Sequence, residues 1–195
     1  MLNFKKFFLI VSLFVVSGCS LKEAAPLKVY TLNSGTVAPV SHSKHRHQTI
    51  KVSYPQALKE KLTNGISYSY SSSERGEYQN SQWSNNAGKL IQGNIIQMLV
   101  QSKIFKAVLP YESTAGEDLR LESTVFDFSH HVRGEASYAI VSIQFNLINT
   151  NSGKLIKTKR FTYKENTQTL DARGYVEATN RAMVRLSRDL VVWLR

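Results

Sequence analysis

Residues 136–149 read ASYAIVSIQFNLIN and carry the strongest structural pattern in the chain. Apolar side chains recur at every second position of this stretch, at Ala139, Val141, Ile143, Phe145 and Leu147. Successive side chains of a β-strand point to opposite faces of its sheet. The alternation therefore predicts a long strand with one face in the core and one face toward polar surroundings.

The flanking segments predict antiparallel partners for this strand. Residues 149–153 read NTNSG, a turn in which Asn or Gly adopts a positive φ angle. We expect Lys154 to Lys164 to return as the next strand. Upstream, Asp118 to His130 is strand-like, and its apolar phase slips between Val125 and Phe126, which indicates a β-bulge. Together the three segments predict an antiparallel meander.

Two other segments have the apolar spacing of amphipathic helices. We expect one helix from Asn85 to Ser102 with Ser84 as its N-cap, and one from Ala172 to Leu194 with Asp171 as its N-cap. The rest is shorter: strands at 28–32, 49–54, 66–71 and 77–83, a helix at 56–62, a strand or turn at 104–109 and a loop at 33–48. These elements predict a single α+β domain with a mixed, mostly antiparallel sheet and two long helices packed on it.

The N-terminal residues predict export and lipid attachment. Lys5 and Lys6 precede an apolar run from Phe7 to Val16, which is the length of a signal-peptide core and too short to span a bilayer. The run ends in the lipobox pattern Val16-Ser17-Gly18-Cys19. We expect a signal peptide at 1–18, a lipidated tether at 19–27 and a folded domain at 28–195. The alternative is an ordinary secretory signal with an incidental cysteine.

Cys19 is the one cysteine of the chain, which excludes an internal disulfide. Ser20 follows it, and serine at this position favours the outer membrane over the inner membrane under the enterobacterial sorting rule. The residues from Ser20 to Pro26 reach at most about 25 Å, so the domain would stay close to its membrane. Two or three acyl chains on Cys19 would hold it there stably.

The formal net charge is +11, with basic residues spread along the chain. An exported, lipid-anchored protein rarely meets nucleic acid, so we expect no nucleic-acid partner. Anionic lipid head groups or an acidic protein fit the charge better. A solvated, mildly basic surface is the plain alternative.

Two groups of histidines are candidates for a chemical site. His42, His45 and His47 could bind a divalent metal, but Lys44 and Arg46 would repel a cation, and a solvated loop is the favoured interpretation. His130 and His131 are neighbours on a strand and so face opposite ways, which favours an edge or turn pair. No motif of a nucleophile, metalloprotease or nucleotide site is present, so we expect no enzyme activity, metal or cofactor.

Four aromatic residues precede the first long helix: Tyr68, Tyr70, Tyr78 and Trp83. Tyrosine and tryptophan are enriched at interfaces, so these side chains could contact a partner or a lipid. The favoured alternative is that they belong to the core, with their polar tips at the surface.

The order of these features resembles the ABC-type transport auxiliary lipoproteins. The resemblance covers nearly the whole chain after the lipobox, and it is carried by hydrophobic and aromatic positions: Val29 to Leu32, Ile50 to Val52, Ile66, Tyr68, Trp83, Ser102 to Val108, Leu119 to Glu122, Phe126, Phe128, Ala139 to Leu147, Gly153, Lys154, Phe161 and Ala178 to Trp193. The chain departs from the pattern at its histidine-rich residues 41–48 and in the Asn-rich stretch around Trp83.

The resemblance implies partners and a task. Members of this family accompany an ABC permease, its ATPase and a protein with a mammalian-cell-entry (MCE) domain, and they take part in moving lipid between the inner and outer membranes. This implies a non-catalytic component on the periplasmic face of the outer membrane, with the inner membrane and a homo-oligomer left open. Two alternatives remain: an envelope-assembly lipoprotein that handles no lipid, and a secreted hydrolase or metal enzyme that uses the histidine cluster.

Overall fold

The structure is a computed structural model that describes residues 25–57 and 62–195. The predicted lipobox from Val16 to Cys19 lies outside these ranges, and so the boundaries proposed for the signal peptide and lipid attachment stay predictions. The described chain forms nine strands and two helices: β1 (Lys28–Tyr30), β2 (Thr49–Val52), β3 (Gln56–Ala57), β4 (Gly65–Ser69), β5 (Arg75–Trp83), α1 (Ala87–Ser102), β6 (Ala107–Pro110), β7 (Leu119–Arg133), β8 (Ala136–Asn149), β9 (Lys154–Asn166) and α2 (Ala172–Leu194).

The predicted meander is confirmed. β8 pairs antiparallel with β7 from Leu119↔Asn149 to Arg133↔Ala136, and the register shifts between Val125 and Asp127, where the bulge was expected. β8 also pairs antiparallel with β9, which runs two residues beyond the predicted Lys164. Gly153 has φ +67° at the turn between β8 and β9, a conformation that suits glycine.

β7 is the central strand of the mixed sheet. β8 follows one edge of β7 along its whole length, whereas β2, β3 and β4 pair in succession along the other edge, all parallel to β7. β6 extends the sheet beyond β2, and β5 and then β1 extend it beyond β4. The antiparallel pairings are the long ones and the parallel pairings are short, so the sheet is mostly antiparallel with parallel additions.

The short helix predicted to begin at Gln56 is wrong for its first two residues. Gln56 and Ala57 form β3 and pair with Thr124 and Val125 of β7. This pairing lies on the same edge of β7 as the pairing with β2. The hydrogen bonds to β7 therefore outweigh the local preference of these residues for a helix. Residues 58–61 of the predicted helix lie outside the described ranges.

Both long helices pack against the sheet, α1 near β2 and β6 and α2 across β8 and β9. Each buries the stripe that its sequence spacing predicted, with Ile91, Ile95 and Leu99 in α1 and Tyr175, Ala182 and Leu186 in α2. The predicted N-cap Ser84 is wrong, because Asn86 caps α1: its side chain accepts hydrogen bonds from the Gly88 amide at 2.8 Å and the Tyr54 hydroxyl at 2.6 Å. Asp171 caps α2 as predicted.

The connection between β1 and β2 is irregular, as predicted, but it is anchored to the helices. The Asn33 amide donates to the Asn180 side chain at 2.9 Å, and the Val37 amide donates to the Gln101 side chain at 3.1 Å. The Val40 amide then donates to the Ser102 carbonyl at 2.8 Å. This segment therefore runs along the helix layer from the middle of α2 toward the end of α1.

The core lies between the helix layer and the sheet. Its large, fully buried side chains include Trp83, Tyr175, Phe145, Ile50, Ile66, Met98 and Leu121. The other face of the meander is polar, with Arg160, Thr162 and Lys164 exposed on β9. Within the described ranges, neither helix is both long enough and apolar enough to cross a bilayer.

The N-cap of α2 should contribute measurably to stability. The Asp171 carboxylate accepts a hydrogen bond from the Gly174 amide at 3.0 Å. We expect Asp171→Ala to lower the free energy of unfolding by about 1 kcal/mol, because the amide loses its partner. Urea unfolding monitored by circular dichroism measures the change. Asp171→Asn retains an accepting oxygen and should stay within a few tenths of a kcal/mol of the wild type; equal losses in both variants would contradict the cap.

Candidate functional site

The predicted tyrosines lie together, and the predicted tryptophan lies apart from them. The ring of Tyr68 is 5.1 Å from that of Tyr70 and 5.1 Å from that of Tyr78. Tyr70 is 49% exposed, whereas Trp83 is 1% exposed and packs against Phe128 and Tyr175 in the core. Trp83 is therefore inaccessible to a partner and belongs to the core, as the alternative predicted. Tyr70 is exposed, and Tyr68 and Tyr78 are half-buried.

The exposed Leu170 side chain adjoins the tyrosines at the beginning of α2. The Tyr78 hydroxyl donates to the Leu170 carbonyl at 3.3 Å. The pKa of Asp171 is lowered by the Thr169 hydroxyl, by the Gly174 amide and, more weakly, by the nearby Lys28 ammonium. We call this region, defined by Lys28, Tyr68, Tyr70, Tyr78 and Leu170, the tyrosine end. It is the end of the domain at which β1 begins.

His130 lies beneath the tyrosines and is fully buried. Its Nδ1 shares a hydrogen bond of 2.7 Å with the Tyr78 hydroxyl, and its ring stacks on Tyr175 at 5.4 Å. Burial, reinforced by the neighbouring His131, lowers the pKa of His130 to about 4. Burial also raises the pKa of Tyr78 to about 12. Both groups are therefore uncharged near neutral pH.

His131 points to the opposite face of the sheet, where it contacts Asp127 and Ser129. Its Nε2 lies 3.0 Å from the nearer Asp127 oxygen and 3.2 Å from Ser129 Oγ. The Ser129 hydroxyl donates to Asp127 at 2.7 Å. In a nucleophile relay the histidine would accept the serine proton and use its second nitrogen for the carboxylate. Here one nitrogen meets both groups, and the arrangement is a polar cluster rather than an activated serine.

The two histidines face opposite ways, as predicted, but the edge or turn placement is wrong. β7 continues to Arg133, and β4 and β8 flank both histidines on either side. Tyr78 and Tyr175 cover the His130 side chain on one face of the sheet, and Tyr138 stacks on His131 on the other. A sequence pattern does not show how many neighbours a strand will have.

The histidine-rich residues 41–48 lie at the far end of the domain, and His45 separates from the other two histidines. His45 is 6% exposed, stacks on Phe105 at 5.5 Å and contacts Gln48 Oε1 through Nδ1 at 2.6 Å. Burial is the main cause that lowers the pKa of His45. The solvated-loop interpretation is therefore wrong for His45. Among the described residues, no three His, Cys, Asp or Glu side chains converge as metal ligands.

His42 and His47 line an open depression of about 580 Å³, together with basic and hydroxyl side chains: Ser41, Ser43, Lys44, Arg46 and Arg195. We call this region, with the neighbouring Lys157, the basic end. Arg195 follows the last turn of α2, and Asp171 precedes the first. A 23-residue helix is about 34 Å long, which separates the basic end from the tyrosine end by that distance.

A second cleft, of about 380 Å³, opens beside β2, β3 and β7. Its walls include Tyr54, Tyr111, Arg120 and Glu122. The charges of Arg120 and Glu122 oppose each other, so this cleft has no strong preference for the charge of a ligand. None of the candidate site residues named in the sequence analysis lines this cleft.

The comparison with known families decides the membership of the chain. The model of the ABC-type transport auxiliary lipoprotein component matches residues 30–191. The chain belongs to this family. Membership in the auxiliary lipoprotein family implies a membrane-anchored location in the cell envelope and a supporting role in ABC transport. The description of the family names a transport component.

Solved structures share the fold of this auxiliary lipoprotein. A protein from Xanthomonas campestris is 17% identical, with a TM-score of 0.75 over 85% of this chain and 94% of that one. An uncharacterized protein is 15% identical, with a TM-score of 0.67 over 88% and 100% of the two chains. A hypothetical protein from Chlamydia trachomatis is 9% identical, with a TM-score of 0.52 over 76% and 95%. No curated protein matches the sequence.

The buried His130 should make the fold sensitive to acid. The unfolded chain takes up a proton at this residue near pH 6.5, and the folded protein does so near pH 4. Between these values the unfolded state binds more protons, so the free energy of unfolding falls as the pH falls. We expect His130→Phe to remove about 2 kcal/mol of the loss between pH 7 and pH 4.5.

Urea unfolding at the two pH values measures this difference. His47→Gln is the matched control, because His47 is exposed, and it should retain the pH dependence of the wild type. A His130→Phe protein with the same acid sensitivity as the wild type would show that other groups cause it.

Proposed function

We propose that this protein is the lipid-anchored, non-catalytic auxiliary component of an MCE-type ABC system that moves lipid between the inner and outer membranes. The observation that carries the proposal is the family match over residues 30–191, preceded by the lipobox that ends at Cys19. Acyl chains on Cys19 anchor the protein, and Ser20 directs it to the periplasmic face of the outer membrane. Its partners are the MCE-domain protein and, through it, the permease and ATPase.

The geometry is consistent with such an anchored component. Residues 20–26 span at most about 25 Å, and β1 begins at Lys28, beside the tyrosine end. The tyrosine end therefore stays near the membrane that holds the lipid anchor. The exposed apolar side chains Leu27, Val29, Tyr70 and Leu170 lie around this end. In this proposal Tyr68, Tyr70 and Tyr78 contact lipid or a partner at the membrane surface, and the buried Trp83 does not.

The anchored orientation leaves the basic end facing away from the anchoring membrane. A partner that reaches across the periplasm would meet this end first. The polar cluster of Asp127, Ser129 and His131 lacks the geometry of a nucleophile relay, in agreement with an auxiliary role. The task of the protein is then to hold and position other components.

Purification from native membranes tests the proposal. The full-length tagged protein, extracted in mild detergent, should co-purify with an MCE-domain protein and the permease and ATPase subunits, as identified by mass spectrometry. Cys19→Ala removes the lipid site and should reduce capture at least several-fold, because two acyl chains no longer hold the protein at the membrane. Ser17→Ala keeps a small residue in the lipobox and is the matched control.

Recovery of outer-membrane assembly proteins without any transporter subunit would contradict the proposal. It would favour an envelope-assembly scaffold instead. Equal capture by the Cys19→Ala and wild-type proteins would contradict the part that concerns the anchor.

A further inference from the structure

The basic end combines a concentration of positive charge with a concave surface. Lys44, Arg46 and Arg195 provide basic side chains, and His42 and His47 add two imidazoles. None of the side chains that line the depression is acidic or apolar. A depression lined in this way attracts negative charge and provides hydrogen-bond donors at short range.

The loop that bears these groups is held in place from below. His45 is inserted against Phe105 and contacts Gln48, and the Arg46 guanidinium donates to the carbonyls of Val40 at 3.0 Å and Ser41 at 2.8 Å. The Lys106 amide donates to the Gln48 carbonyl at 2.9 Å, which joins the loop to the start of β6. Lys44, His42 and His47 therefore project from a fixed frame, and binding would cost little ordering entropy.

The ammonium group of Lys157 lies beside the depression and adds to its positive charge. The Lys157 amine donates to the Trp193 carbonyl and lies 4.9 Å from the centroid of the Trp193 ring. Burial and, to a smaller extent, the nearby Lys44 lower the pKa of Lys157. The two lysines thus repel each other in the free protein, and an anion bound at this end would offset the repulsion.

We propose that the depression at the basic end docks an acidic segment of a partner protein. The proposal rests on the function proposed above and names the chemistry of its docking surface. A lipid taken out of the membrane would need an apolar wall for its acyl chains, and the side chains that line the depression provide none. In the anchored orientation proposed above, the depression also lies at the opposite end of α2 from the tether, and α2 is about 34 Å long. A protein segment rich in Asp and Glu matches both the polarity and the position of the site.

Peptide binding to the full-length lipidated protein, in nanodiscs of phosphatidylcholine, tests the docking site. The probe is a fluorescein-labelled peptide of eight glutamates, with an eight-glutamine peptide as the uncharged comparison. Fluorescence anisotropy should show at least about five-fold weaker binding of the glutamate peptide to the Lys44→Gln/Arg195→Gln variant, because two charges that face it are removed.

The matched control is Lys164→Gln/Arg173→Gln, which removes the same charge at exposed positions remote from the depression. It should weaken binding less than two-fold, and thermal melting should show that both variants remain folded. Equal weakening in the two variants, or equal binding of the glutamine peptide, would overturn the proposal. It would also be overturned if Lys44→Gln/Arg195→Gln weakened only binding to phosphatidylcholine vesicles containing phosphatidylglycerol.

Capture of transporter subunits separates this proposal from the one on which it rests. If the wild type captures an MCE-domain protein and Lys44→Gln/Arg195→Gln captures as much, the docking site is wrong and the proposed function stands. If the wild type captures no transporter subunit, the proposed function fails, and the peptide measurement still decides whether the depression binds acidic segments.

Discussion

The pairing of β7 on both of its edges is the constraint on which the rest of the structure depends. β8 occupies one edge along its whole length, and β2, β3 and β4 share the other. This arrangement fixes the apolar face of Leu121, Val141 and Phe145 under the helices. It also places His130 between α2 and the β4–β5 hairpin, so the tyrosine end is a direct consequence of how β7 is flanked.

Local sequence patterns were sufficient to predict the meander and α2. Alternation from Ala139 to Leu147, the turn before Lys154 and the cap at Asp171 each depend on residues close together in the chain, and each was predicted correctly. The parallel additions to β7 were not predictable. β3 is two residues long, and it pairs with Thr124 and Val125, about seventy residues further along the chain. A short apolar pattern does not determine which distant residues a strand will pair with.

The candidate sites likewise depend on contacts between distant segments, which the sequence pattern does not predict. The grouping of Tyr68, Tyr70 and Tyr78 follows from a hairpin, and proximity in sequence pointed to it, whereas the burial of Trp83 depends on contacts with Phe128 and Tyr175. The sequence does not distinguish His45 from His42 and His47, because the difference lies in the contacts of His45 with Phe105 and Gln48. Lys157 and Arg195 reach the basic end only through the sheet and the end of α2, so the sequence alone gave no reason to join them to the histidine-rich loop.

In the function proposed here, the two ends of α2 have different tasks: the tyrosine end lies near the lipid anchor, and the basic end faces a partner. Energy transfer to a lipid-bound acceptor dye tests this orientation most directly. The donor fluorophore is placed on Leu170→Cys or on His42→Cys in the lipidated protein, whose acylated Cys19 does not react with the label. The account predicts clearly higher transfer from residue 170 than from residue 42, since about 34 Å separates the two ends. Equal transfer from both positions, or higher transfer from residue 42, would contradict it.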